Sequence, residues 1–110
     1  MKILIIRFSS IGDIVLTTPV IRCLKHQIAD AELHFLTKDT FKEITESNPY
    51  LSKVFSIQTS LTEVIGVLLF EKYDLIIDLH DNIRSRQVSA LLKVKTYRYN
   101  KQRFKRFLLM

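Results

Sequence analysis

The sequence predicts an α/β fold, a doubly wound parallel sheet in a single domain spanning residues 1–110, and three observations carry that prediction. Ile3, Leu4, Ile5 and Ile6, and again Leu75, Ile76 and Ile77, form apolar runs that do not alternate with polar residues, which suits strands covered on both faces. Five short stretches of this strand type alternate with helical patterns, a rhythm that implies right-handed parallel crossovers. In the common order 3-2-1-4-5 the switch point lies between the first and fourth strands, and ligands bind outside their carboxyl ends.

The first strand, residues 3–6, runs into the polar stretch Phe8, Ser9, Ser10, Ile11, Gly12, Asp13. Ser9 and Ser10 can cap the helix that follows, and Gly12 permits a tight turn that a side chain would hinder. With Gly12 as the one glycine in the loop, neither the three-glycine dinucleotide fingerprint nor a P-loop is present. Asp13 remains, a carboxylate in a first helical turn. It is either an acid favoured there by the helix dipole or a functional group.

Beyond Asp13, Ile14 and Val15 begin a helical pattern that is interrupted before Pro19, so Thr18 is read as the cap of a helix over residues 19–27. Cys23 lies on that helix and is expected to be buried rather than reactive. Residues 32–36 form the second strand, with His34 packed in it. A short helix over 39–46, a turn at Ser47, Asn48, Pro49 and Tyr50, and a third strand at 53–57 follow. Ser60, Leu61, Thr62 and Glu63 match a capping box, and Leu61, Val64, Ile65, Leu68 and Leu69 continue at helical spacing, making this the clearest helix. Gly66 inside it weakens it and is read as allowing close packing. The fourth strand covers 73–79, His80, Asp81 and Asn82 form a polar turn, and a helix is expected over 83–92. A fifth strand at 94–99 and a basic helix from Lys101 to the last residue complete the pattern.

Composition sets outer limits. Hydrophobic residues make up 47% and charged residues 25%, ordinary globular values that exclude disorder over most of the length. Cys23 is the single cysteine, so no internal disulfide forms, and a reducing compartment is the natural expectation. No Cys and His cluster has metal-ligand spacing, and no apolar stretch matches a signal peptide or a membrane span. The net charge of +6 comes from the last part of the chain, where Asp81 is the one acid against nine bases. Such an end faces phosphates on a nucleic acid, a lipid headgroup or a sugar phosphate, or is a solvated surface. No module for nucleic-acid recognition accompanies it, and none is expected as a partner.

If the order 3-2-1-4-5 holds, the loops Ser9 to Asp13 and His80 to Arg86 meet at one crevice, which strengthens a functional role for Asp13. Those two loops carry a resemblance. The opening from Lys2 to Pro19 resembles that of the bacterial ADP-heptose:lipopolysaccharide heptosyltransferases, glycosyltransferase family 9. The stretch from Tyr73 to Ser85, with Asp78, Leu79, His80, Asp81 and Asn82 at its centre, is similar to their second N-terminal motif.

The resemblance implies the N-terminal, acceptor-side half of a GT-B enzyme, whose C-terminal half holds most of the nucleotide sugar, here ADP-heptose as substrate, with no cofactor and no metal. It assigns the catalytic base to Asp13. Ser9, Ser10, Gly12, His80, Asn82, Arg84, Arg86 and Lys101 are the residues expected at the substrate. Arg84 and Arg86 would grip an acceptor phosphate or carboxylate through forked hydrogen bonds, unless they are simply solvated. Lys101, Arg103 and Arg106 would extend that anionic surface or lie near the membrane that carries the glycolipid. The expected setting is the cytoplasm, at the inner face of its membrane. Since the sequence ends at Met110 without a second domain, it is read as inactive in transfer by itself and prone to self-association. The alternative is a stand-alone Rossmann-like or flavodoxin-like module that binds a phosphorylated small molecule.

Overall fold

Residues 2–6, the run Lys-Ile-Leu-Ile-Ile, form the central strand of a five-stranded parallel sheet in a computed structural model that describes residues 1–8 and 11–98. Ser9, Ser10 and residues 99–110 lie outside the described residues, and with them the expected serine caps, Lys101, Arg103, Arg106 and the basic final helix. The strands are β1 (Lys2–Ile6), β2 (Glu32–Lys38), β3 (Leu51–Ile57), β4 (Leu75–Asp78) and β5 (Thr96–Arg98), in the order β3-β2-β1-β4-β5. This is the order expected from the sequence. Ile6 stands level with Leu36 on one side and Asp78 on the other, so β1 and β4 end together while β2 runs two residues further.

Five helices connect them: α1 (Ile11–Leu16), α2 (Thr18–Gln27), α3 (Lys42–Glu46), α4 (Ile65–Glu71) and α5 (Ile83–Leu92). Alternate residues of β1 supply two separate cores, as the two-residue period of a strand requires. Ile3 and Ile5 pack with Leu33, Phe35 and Ile77 against Val20 and Ile21 of α2. Leu4 and Ile6 pack with Leu36 and Ile76 against Leu68 of α4 and Val88 and Leu92 of α5. Ile3 to Ile6 are wholly inaccessible to solvent, which is why the run carries no polar residue.

Several local expectations change. The helix before Pro19 starts at Thr18 itself, because Thr17 already has helical dihedrals (φ −74°, ψ −17°) and α1 runs almost directly into α2. The capping box at Ser60 and Glu63 forms, but it closes a 3-10 turn at Leu61–Glu63 and not the long helix. The Glu63 carboxylate accepts the backbone N–H groups of Gln58, Thr59 and Ser60, which tightens the turn and lowers its own pKa. The chain then breaks at Val64 (φ −126°) before α4 begins. Residues 39–46 divide likewise, into a 3-10 turn at Asp39–Phe41 and α3. A Cβ on Gly66 would meet nothing within 4 Å, so close packing does not explain that glycine. Cys23 is exposed, not buried, because Val20 and Ile21 form the sheet-facing side of α2.

Candidate active site at the carboxyl end of the sheet

The site begins where β1 stops. The Arg7 N–H donates to the Leu36 carbonyl (3.1 Å) and the Leu79 N–H to the Ile6 carbonyl (3.0 Å), so β1 stays tied to both neighbours just past its end. Arg7 is buried. Its Nη1 donates to the Leu79 carbonyl (2.6 Å) and its Nη2 to Oδ2 of Asp13 (2.8 Å) in the first turn of α1. Asp13 is therefore a carboxylate held by an arginine, with its side chain 17% exposed. Gly12 has no left-handed backbone angle, and a Cβ there would meet nothing within 4 Å, so the turn does not require glycine.

A second loop arrives from β4. Asp78 is fully buried, and its Oδ1 accepts the N–H groups of His80 (3.0 Å) and Asp81 (2.8 Å). That carboxylate shapes the turn, and Asp81 takes the left-handed conformation the turn needs (φ 50°), one that aspartate tolerates better than most residues. Asn82 caps α5, accepting from the Ser85 N–H (2.8 Å) while Ser85 Oγ accepts from the Asn82 N–H (2.9 Å). Arg86 turns back to Asp81, its Nε and Nη2 at 3.0 and 2.9 Å from Oδ1.

Beside the second loop lies an open cavity of about 620 Å³ lined by Phe8, Lys38, His80, Asn82, Ile83, Arg84 and Gln87, and Asp13 is not among these lining residues. The Arg84 guanidinium stacks 5.8 Å above the ring of Phe8, which meets the His80 ring edge-on at 5.4 Å. Partial burial pushes the His80 pKa down, helped by the cations Arg7 and Lys38 and opposed by the carboxylates Asp78 and Asp13. This shift favours the uncharged imidazole, and the cationic residues lining the cavity are Lys38 and Arg84.

Of the residues singled out in the sequence, Asp13 and His80 share one electrostatic neighbourhood, and His80, Asn82 and Arg84 line one cavity. Arg86 is not among the lining residues and is engaged by Asp81. Ser9, Ser10 and Lys101 are outside the described residues. Sequence reasoning passed over Arg7, Phe8, Lys38, Asp78 and Gln87. Arg7 had a visible signal, a charge directly after a fully apolar strand. Lys38 had one too: it ends the strand next to β1, so the expected strand order already put it at this rim.

The opposite end of the sheet gathers charges of another kind. Glu71 accepts from Lys2 (3.0 Å) and Lys53 (2.8 Å), which together hold its pKa down to about 2. His34 is fully buried between Tyr73 Oη (2.8 Å) and Glu32 Oε2 (2.7 Å), and burial pushes the Tyr73 phenol far above its ordinary value. Ligand atoms of Glu32, His34 and Glu71 lie within 4.8 Å of one another, a grouping the sequence did not reveal. The Glu71 oxygens there already carry the two lysine contacts, which makes the cluster a staple across strand starts.

No protein-family model matches the chain. Among curated proteins it is 29% identical over 111 residues to lipopolysaccharide heptosyltransferase 1 of Campylobacter coli, covering 96% of this chain and 32% of that one. It is 31% identical over 105 residues to lipopolysaccharide heptosyltransferase 3 of Escherichia coli, covering 83% and 31%. The chain thus spans about a third of the length of the curated relatives it matches. Among solved structures, a family 9 glycosyl transferase from Veillonella parvula superposes with a TM-score of 0.83 at 21% identity, over 96% of this chain and 34% of that chain. The E. coli heptosyltransferase WaaC with ADP superposes with a TM-score of 0.71 at 19% identity, over 91% and 34%. The two sequence motifs, the β3-β2-β1-β4-β5 sheet and these relatives agree: the chain belongs to the lipopolysaccharide heptosyltransferase family, glycosyltransferase family 9, and corresponds to its N-terminal, Rossmann-like part.

Proposed function

We propose that this chain is the acceptor-binding part of an inverting glycosyltransferase, with Asp13 as its catalytic base. The observation that carries the reading is the meeting of the Asp13 loop and the His80 loop beside a cavity bordered by Lys38 and Arg84, at the sheet edge where such folds take ligands. In the reaction, the Asp13 carboxylate takes the proton of an acceptor hydroxyl as that oxygen attacks the anomeric carbon. The bond from that carbon to the diphosphate oxygen breaks, and the nucleoside diphosphate leaves with the electron pair. A carboxylate paired with arginine stays ionised at neutral pH, so it is ready to accept a proton before substrate arrives.

The acceptor is an anionic lipopolysaccharide core, its phosphate or carboxylate held between Lys38 and Arg84, with His80, Asn82 and Gln87 facing the sugar. Ser9, Ser10, the Gly12 backbone and Lys101 complete the contacts. The donor is a nucleotide sugar, ADP-heptose or a close relative, a reading supported by the ADP in the WaaC structure and held mainly by residues beyond this part of the fold. No described helix is long and apolar enough to cross a membrane, and the protein works in the cytoplasm, reaching its glycolipid at the inner membrane face. Asp13→Asn in a full-length enzyme carrying this part tests the assignment: sugar transfer should fall by at least ~100-fold with donor affinity nearly unchanged. An active asparagine variant would remove Asp13 from the mechanism.

A further inference from the structure

We propose that Arg7 is the positioning residue of this site: its guanidinium fixes the Asp13 carboxylate against the loop that follows β4 and keeps it ionised. The inference rests on the reading of Asp13 as the base, and three observations support it. Arg7 is buried, with its side chain 10% exposed, at the point where β1 and β4 end together beside β2. Its two terminal nitrogens are divided between the Leu79 carbonyl, one residue before His80, and the Asp13 carboxylate. Asp13 stands on α1, a helix of six residues, too short to hold a side chain in place by its own stability.

The planar fork of arginine matters here. Nη1 and Nη2 are held at a fixed separation, so anchoring one on Leu79 sets where the other presents its proton to Asp13. Lysine has a single charged nitrogen and cannot span both acceptors in the same way. The pairing lowers the basicity of Asp13, and what it gains is a carboxylate of fixed position and charge. The titratable and charged groups around His80 in the same neighbourhood are Asp78 from β4 and Lys38 from β2. Arg7 contacts Asp13 directly at 2.8 Å, so its removal should shift the Asp13 titration.

The test is a carbon-detected NMR titration of the Asp13 carboxyl in the 110-residue protein. In the wild type the midpoint is expected below the ordinary aspartate value of about 3.9. The Arg7 Nη resonances should move with the same midpoint, a response that Asp13→Asn abolishes. In Arg7→Met the Asp13 midpoint should rise by at least ~1 unit, with Arg7→Lys in between. In a full-length enzyme carrying this part, the rate of transfer should drop at least ~10-fold in Arg7→Met through kcat, with acceptor KM within about twofold and partial recovery in Arg7→Lys. A wild-type midpoint at or above the ordinary value, or Arg7 resonances that ignore Asp13, would overturn the inference. The wild-type readout decides even if Arg7→Met fails to fold. Since titration needs no turnover, an active Asp13→Asn variant would sink the base assignment and leave the Arg7–Asp13 pair standing.

Discussion

At the amino end of the sheet the charges are matched against one another, whereas at the carboxyl end they surround an open cavity. Lys2, Lys53 and Glu71, and beside them Glu32, His34 and Tyr73, form a closed network in which each side chain has a partner. The carboxyl end holds every buried side-chain polar atom that lacks a hydrogen-bond partner among the described residues: Arg7 Nε, Thr37 Oγ1, Asp78 Oδ2, His80 Nδ1 and Arg98 Nε. Two of these, Asp78 Oδ2 and Arg98 Nε, still attract each other as an ion pair at 3.3 Å. Unsatisfied buried groups cost free energy, and proteins retain them mainly where function needs them. The two ends therefore differ: one is internally matched, and the other keeps unmet polar atoms beside an open cavity, as the proposed binding site requires.

That division can be broken from either side. The largest effect on stability is expected from Glu71→Ala, which leaves Lys2 and Lys53 facing each other without their shared anion. Because Lys53 is exposed and Lys2 partly so, the loss should be well below that of a fully buried pair. Denaturant unfolding measures it, and acceptor KM should not move. At the other end Arg84→Ala should raise acceptor KM about tenfold, the equivalent of ~1.4 kcal/mol, with a stability change under ~0.5 kcal/mol. Unchanged acceptor kinetics would return Arg84 to the solvated surface.

Acid separates the ends more finely. Glu71 has its pKa lowered from 4.5 to about 2, so its contribution is complete above pH 4.5 and is lost as pH falls toward 2. His80 has a lowered pKa, so the unfolded chain takes up its proton first, and stability declines as pH drops below about 6.5. Thermal unfolding from pH 7 to 5 should thus show a small loss that His80→Gln removes and Glu71→Gln does not. The smallest effect belongs to neither end. Gly66→Ala points its methyl into open space within a helix and should stabilise by ~0.5 to 1 kcal/mol.

The strand order was readable because burial on both faces leaves a plain trace: Ile3 to Ile6 and Ile76 to Ile77 admit no polar residue. The meeting of the Asp13 and His80 loops followed from that order alone. Helix boundaries were less legible. The capping box at Ser60 is present in sequence and structure, yet the three N–H groups bound by Glu63 commit the chain to a tight turn, a competition invisible in a spacing pattern. Asp78 read as a residue within the fourth strand, and its role depends on the left-handed turn at Asp81 that its carboxylate supports. The charge of Arg7 was visible after the apolar strand but its partners were not, since its two acceptors, Leu79 and Asp13, lie 72 and 6 residues away.

The most direct measurement is a heteronuclear NMR titration of the labelled protein with a soluble core oligosaccharide bearing a phosphate or carboxylate. Shifts confined to Phe8, Lys38, His80, Arg84 and Gln87, with Glu32, His34 and Glu71 unmoved, are what the division of the sheet predicts. Shifts at the amino-end network, or none at millimolar ligand, would contradict it.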